Sequence, residues 1–123
     1  MFFPEAQLRV WLYTQPTDMR KSFDGLSSLV KEKLSENPLS GQMFVFVNRR
    51  GNYLKVLYFD RSGYALWAKR LEQGQFHYRR GVSAGDKAAL NMTELKLMLE
   101  GIDVRATRRY KRYRHRTADV ATL

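Results

Sequence analysis

Met43-Phe44-Val45-Phe46-Val47-Asn48, Tyr53-Leu54-Lys55-Val56-Leu57-Tyr58-Phe59 and Tyr64-Ala65-Leu66-Trp67-Ala68-Lys69-Arg70 are three runs rich in β-branched and aromatic residues, laid end to end. The links between them, Arg49-Arg50-Gly51-Asn52 and Asp60-Arg61-Ser62-Gly63, are short and contain glycine, which is the chemistry of hairpin turns. The stretch reads as an antiparallel meander. With four-residue loops, Asn48 faces Tyr53 and Phe59 faces Tyr64, and the two-residue period of a strand then sorts the side chains. One face carries Met43, Val45, Val47, Leu54, Val56, Tyr58, Ala65 and Trp67, with Lys69 at its edge, and the helix of Phe23 and Leu26 is expected to pack on it. The other carries Phe44, Phe46, Tyr53, Lys55, Leu57, Phe59, Tyr64, Leu66 and Arg70. Two readings of this second face stand: a platform on which bases stack while Lys55 and Arg70 reach phosphates, or a second buried surface, because so large an apolar patch is costly to leave wet.

Before the meander, Leu8 to Tyr13 reads as a strand and Gln15-Pro16-Thr17-Asp18 breaks it. Met19 to Glu36 then reads as the main helix. Phe23, Leu26, Leu29, Val30 and Leu34 form one apolar stripe, Thr17 or Asp18 offers an N-cap oxygen, and Asn37-Pro38 ends the run. Gly25 inside it costs about 1 kcal/mol against alanine, which fits a close approach. After the meander, Gln75 to Arg79 is expected to add a strand and Gly81 to Asn91 to be loop. Met92 to Glu100 reads as a short helix capped by Asn91 or Thr93 and closed by Gly101. The expected architecture is α+β: an antiparallel β-meander packed against one main helix, with a short C-terminal helix and a basic tail. Residues 1–104 form one domain and 105–123 a basic arm.

Charge is unevenly spread. The chain of 123 residues carries 22 Lys and Arg against 12 Asp and Glu, a net +10. More than half of that excess falls in residues 105–123. A basic stripe of this kind fits a polyphosphate partner; the alternative is a solubilising tail. DNA is therefore the expected partner, contacted by Arg105, Arg108, Arg109, Lys111, Arg112, Arg114 and Arg116, with Tyr110 and Tyr113 placed to stack. About six phosphate contacts imply a log–log salt slope near five. Arg20, Lys21, Arg49, Arg50, Lys55, Lys69 and Arg70 form a second basic set.

Other chemistry finds little support. There is no cysteine, so disulfides and thiolate metal sites are excluded. His77 and His115 are far apart, and no metal or cofactor is expected. The acids Asp18, Asp24, Asp60, Glu72, Asp86, Glu94, Glu100 and Asp103 are scattered, whereas metal-assisted phosphoryl transfer needs converging carboxylates. No run of about 18 apolar residues points to a membrane span, and Met1-Phe2-Phe3-Pro4-Glu5 lacks the basic start of a secretory signal, so a cytoplasmic setting is expected.

Several blocks occur together in one order: Asp18-Met19-Arg20-Lys21-Ser22-Phe23-Asp24-Gly25-Leu26, then Gly41 to Phe46, then Lys55-Val56-Leu57-Tyr58-Phe59-Asp60. They are followed by Leu66-Trp67-Ala68-Lys69-Arg70-Leu71-Glu72-Gln73-Gly74-Gln75-Phe76 and Met98-Leu99-Glu100-Gly101-Ile102. Over about residues 9–104 this resembles the small TnpB-type accessory protein, the second reading frame, of IS sixty-six bacterial insertion sequences. It does not resemble the much longer RNA-guided nucleases that share the TnpB name. The resemblance implies a non-catalytic protein needed for DNA transposition beside a separate, larger transposase of the same element, which carries the acidic triad. DNA binding is read from the charge, not from the resemblance. A protein–protein adaptor for the transposase and a small metal-dependent nuclease are the alternatives, and a homo-oligomer is compatible with all three.

Overall fold

A computed structural model describes residues 9–78 and 85–101. In chain order its elements are β1 (Val10–Tyr13), α1 (Phe23–Glu32), β2 (Met43–Val47), β3 (Tyr53–Asp60), β4 (Gly63–Arg70), β5 (Lys87–Leu90) and α2 (Met92–Leu99). The strands form one mixed sheet in the order β4-β3-β2-β1-β5, with two helices, an α+β fold. β2, β3 and β4 are antiparallel neighbours, with Val45 opposite Val56 and Val56 opposite Trp67. Asn48 donates its backbone N–H to Tyr53 O. Phe59 pairs Tyr64, and Asp60 pairs Gly63, so the second turn tightens to Arg61 and Ser62 without changing the register.

The sheet is wider than a meander. β1 runs parallel to β2, with Leu12 opposite Val45, and parallel neighbours need a crossover over one face of the sheet. That crossover is α1. Residues 87–90, expected as loop, form β5 and pair antiparallel with β1. The alternation of Lys87-Ala88-Ala89-Leu90 is too short and too alanine-rich to signal a strand by itself. Residues 75–78 are not a strand. Phe76 instead donates its N–H to Gly51 O at 2.7 Å and buries its ring.

Both faces are buried, by different helices. Leu26, Val30 and Leu34 pack on Tyr13, Phe44, Phe46 and Leu57. Leu95, Met98, Leu99 and Phe76 pack on Val10, Leu12, Met43, Val45, Val47, Leu54 and Val56. The α1 stripe thus covers the aromatic face rather than the expected Met43–Val45–Val47 face. Phe44 and Phe46 are fully enclosed, so the centre of that face is core and not a stacking platform.

The helix ends also move. α1 starts at Phe23, with Ser22 at the N-cap and no side-chain cap bond. The expected caps are used elsewhere: Asp18 accepts the Arg20 N–H and guanidinium, and the Thr17 N–H bonds Val47 O. At its other end Glu36 N–H reaches Val30 O while Ser35 turns left-handed at φ 55°. A left-handed residue thus closes the helix end ahead of Pro38. Gly25 permits the close approach expected of it, since an added Cβ would stand 3.1 Å from Lys21 Cβ and Cγ. α2 is capped by Asn91, whose side chain accepts from Glu94 N–H while Glu94 accepts from Asn91 N–H, a reciprocal capping box.

Candidate nucleic-acid interface

β1, β2 and β4 finish at the same end of the sheet, where β3 and β5 begin. The second basic set gathers there from separate stretches of chain. Arg49 and Arg50 form the β2–β3 turn. Arg70 lies opposite Tyr53, and Lys69 opposite Leu54. Arg20 and Lys21 arrive from the β1–α1 connection, which crosses this end because Thr17 N–H is held by Val47 O at 2.9 Å.

Two of these cations have structural work. Lys55 is 8% exposed, and its Nζ donates to Met19 O at 2.8 Å and Lys21 O at 2.9 Å. Burial and these two acceptors remove it from the set that reaches phosphates, a correction to the sequence reading. The same bonds fix the loop that displays Arg20 and Lys21. Lys69 donates from Nζ to Leu99 O at 2.7 Å, at the C-terminal end of α2, where a cation also meets the negative pole of the helix. It ties α2 to β4 and is half-buried.

Arg20, Lys21, Arg49, Arg50 and Arg70 are exposed. Arg20 grips Asp18 with two nitrogens, at 2.7 Å for the closest contact, while its side chain stays 92% exposed. The Arg20 hydrogen bonds, side-chain before backbone, hold the Asp18 carboxyl down at about 2, and Asp18 raises the Arg20 guanidinium in turn. Arg20 and Lys21 lie immediately ahead of Ser22, the N-cap of α1. Arg70 stands 3.6 Å from Glu72 in an open, solvated pair, the kind that contributes little to stability.

The turn carrying Arg49 and Arg50 is held by residues that charge counting passes over. Asn48 Oδ1 accepts from the N–H groups of Asn52 and Tyr53, and its Nδ2 donates to Asn52 Oδ1 at 2.9 Å. Gly51 closes the turn on Asn48 O at φ 77°, a conformation that glycine adopts without strain. Gln75 Nε2 donates to Arg50 O at 2.8 Å. An Asn–x–x–Gly pattern at a hairpin was the available signal for this arrangement.

α2 ends at this same end of the sheet, since Leu99 O is bound by Lys69. Arg105, Arg108, Arg109, Lys111, Arg112, Arg114 and Arg116 lie outside the described residues. Among the described residues no three His, Cys, Asp or Glu side chains group as metal ligands, and no helix is long and apolar enough to cross a membrane.

The chain matches the family described as IS66 Orf2 like protein over residues 8–109. It belongs to the IS66 Orf2-like family. Among its relatives, "Uncharacterized protein y4hO" of Sinorhizobium fredii (strain NBRC 101917 / NGR234) is 42% identical over 103 residues, covering 83% of this chain and 88% of the relative. "Uncharacterized protein y4jC" of the same strain is 38% identical over 105 residues, covering 84% and 86%. No solved structure matches. Membership ties this IS66 Orf2-like protein to transposition in an accessory role, as the resemblance implied.

Proposed function

We propose that this IS66 Orf2-like protein binds duplex DNA at the basic end of its sheet and thereby assists the separate transposase of its element, without carrying out the chemistry itself. The observation that carries this reading is convergence. Arg20, Lys21, Arg49, Arg50 and Arg70 come from three distant parts of the sequence and are displayed together, the first four on loops braced by Lys55, Asn48 and Gln75 and Arg70 at the end of β4. Side chains spread only for solubility have no need of such bracing. Residues 105–123 add seven basic side chains, which act with the folded end on one duplex.

The test is a salt-titrated binding assay on transposon-end and random duplexes, comparing the full chain with a chain ending at residue 104. The full chain should show a steep loss of affinity with salt, and deletion should cut both affinity and slope while leaving measurable binding by the folded end. Absence of binding by the full chain at low salt would overturn the reading. If the protein then still co-purified with the transposase after nuclease treatment, it would be an adaptor.

A further inference from the structure

The turn Asn48–Asn52 is built more stiffly than phosphate attraction requires. Three hydrogen bonds from one asparagine, the left-handed Gly51 and the Gln75 clasp on Arg50 O fix its backbone. It is also flanked on both sides. Thr17 N–H bonds Val47 O on one, while Leu71 N–H on Asn52 O and Phe76 N–H on Gly51 O, both 2.7 Å, hold residues 71–76 against the other. The turn therefore does not project as a two-stranded ribbon able to lie in the major groove, which is about 12 Å wide. Arg49 and Arg50, both exposed, are the side chains this turn presents at the broad end.

Two adjacent guanidinium groups on a fixed backbone suit a narrow, strongly negative slot. The minor groove is about 6 Å wide. It narrows further in A·T-rich DNA, which concentrates negative potential and attracts arginine. Arginine also sheds its hydration more readily than lysine. Resting on the reading that the protein binds DNA, we propose that Arg49 and Arg50 enter the minor groove of an A·T-rich duplex while Lys21 and Arg70 hold the flanking phosphates.

The test uses the full chain on duplexes of equal length that are A·T-rich, G·C-rich or I·C-rich, since inosine removes the guanine amino group from the minor groove but leaves a guanine-like major groove. Affinity should be about five- to tenfold higher for A·T and for I·C than for G·C, and the minor-groove ligand netropsin should compete. The double variant R49K/R50K keeps the charge and should bring the A·T to G·C ratio close to one. Binding with no A·T preference would overturn this proposal alone, as would I·C behaving like G·C, indifference to netropsin, or a ratio unchanged in R49K/R50K. Absence of any duplex binding at low salt would overturn the DNA-binding reading with it.

Discussion

Lys55 is a cation on a sheet face otherwise filled by Phe44, Phe46 and Leu57, and its Nζ binds the Met19 and Lys21 carbonyls that lie over that face. Replacing it by methionine keeps the length and removes both charge-assisted bonds. Lys55→Met should cost about 2 kcal/mol in urea unfolding, and unchanged stability would contradict this role. Asp18 gives a pH signature. Its carboxyl is held at about 2 against an ordinary 3.8 by Arg20, so the folded chain binds this proton less readily than the unfolded chain. The resulting stabilisation is present above about pH 4 and is lost as pH falls through about 2. Asp18→Asn should therefore be less stable than the parent at pH 6, with the difference shrinking by pH 2. A difference equal at both values would show that the pair does not act through this titration.

At the scale of elements, α1 is closed by a serine where glycine is the usual solution. Ser35 sits at φ 55° just beyond the helix and is exposed. Ser35→Gly should raise stability by about 0.5–1 kcal/mol in thermal or urea unfolding, because the left-handed strain of a side chain exceeds the entropy that glycine loses. A loss of stability would place the strain elsewhere. This scale also shows what the sequence made legible. The alternation of Met43 to Arg70 was strong enough to assign both faces and the register residue by residue, and Asn91, one of two cap residues expected, and Gly101 marked α2. Which helix covers which face was hidden, because it depends on β1 pairing parallel to β2, and that long-range choice leaves no local periodic signal. β5 was hidden for a similar reason: four residues gain strand structure only by pairing with β1. Lys55 was misjudged because its pattern gave the face but not the Met19 and Lys21 carbonyls that descend onto it.

Across the whole molecule, the second basic set looked scattered in sequence, yet it meets at one end of the sheet. α1 runs away from that end, since Glu36, just beyond the helix, pairs with Gln42 Nε2 immediately before β2. Lys31 and Lys33, both exposed, therefore lie toward the opposite end. That gives an internal control of equal charge. The most direct measurement is the salt dependence of duplex DNA affinity for two full-length variants, Arg49→Ala/Arg50→Ala and Lys31→Ala/Lys33→Ala, each lowering the net charge by the same amount. The first should show a log–log salt slope reduced by about two and a clear affinity loss, and the second little change. Equal losses in both variants would show that affinity follows total charge, and would contradict an interface built at this end of the sheet.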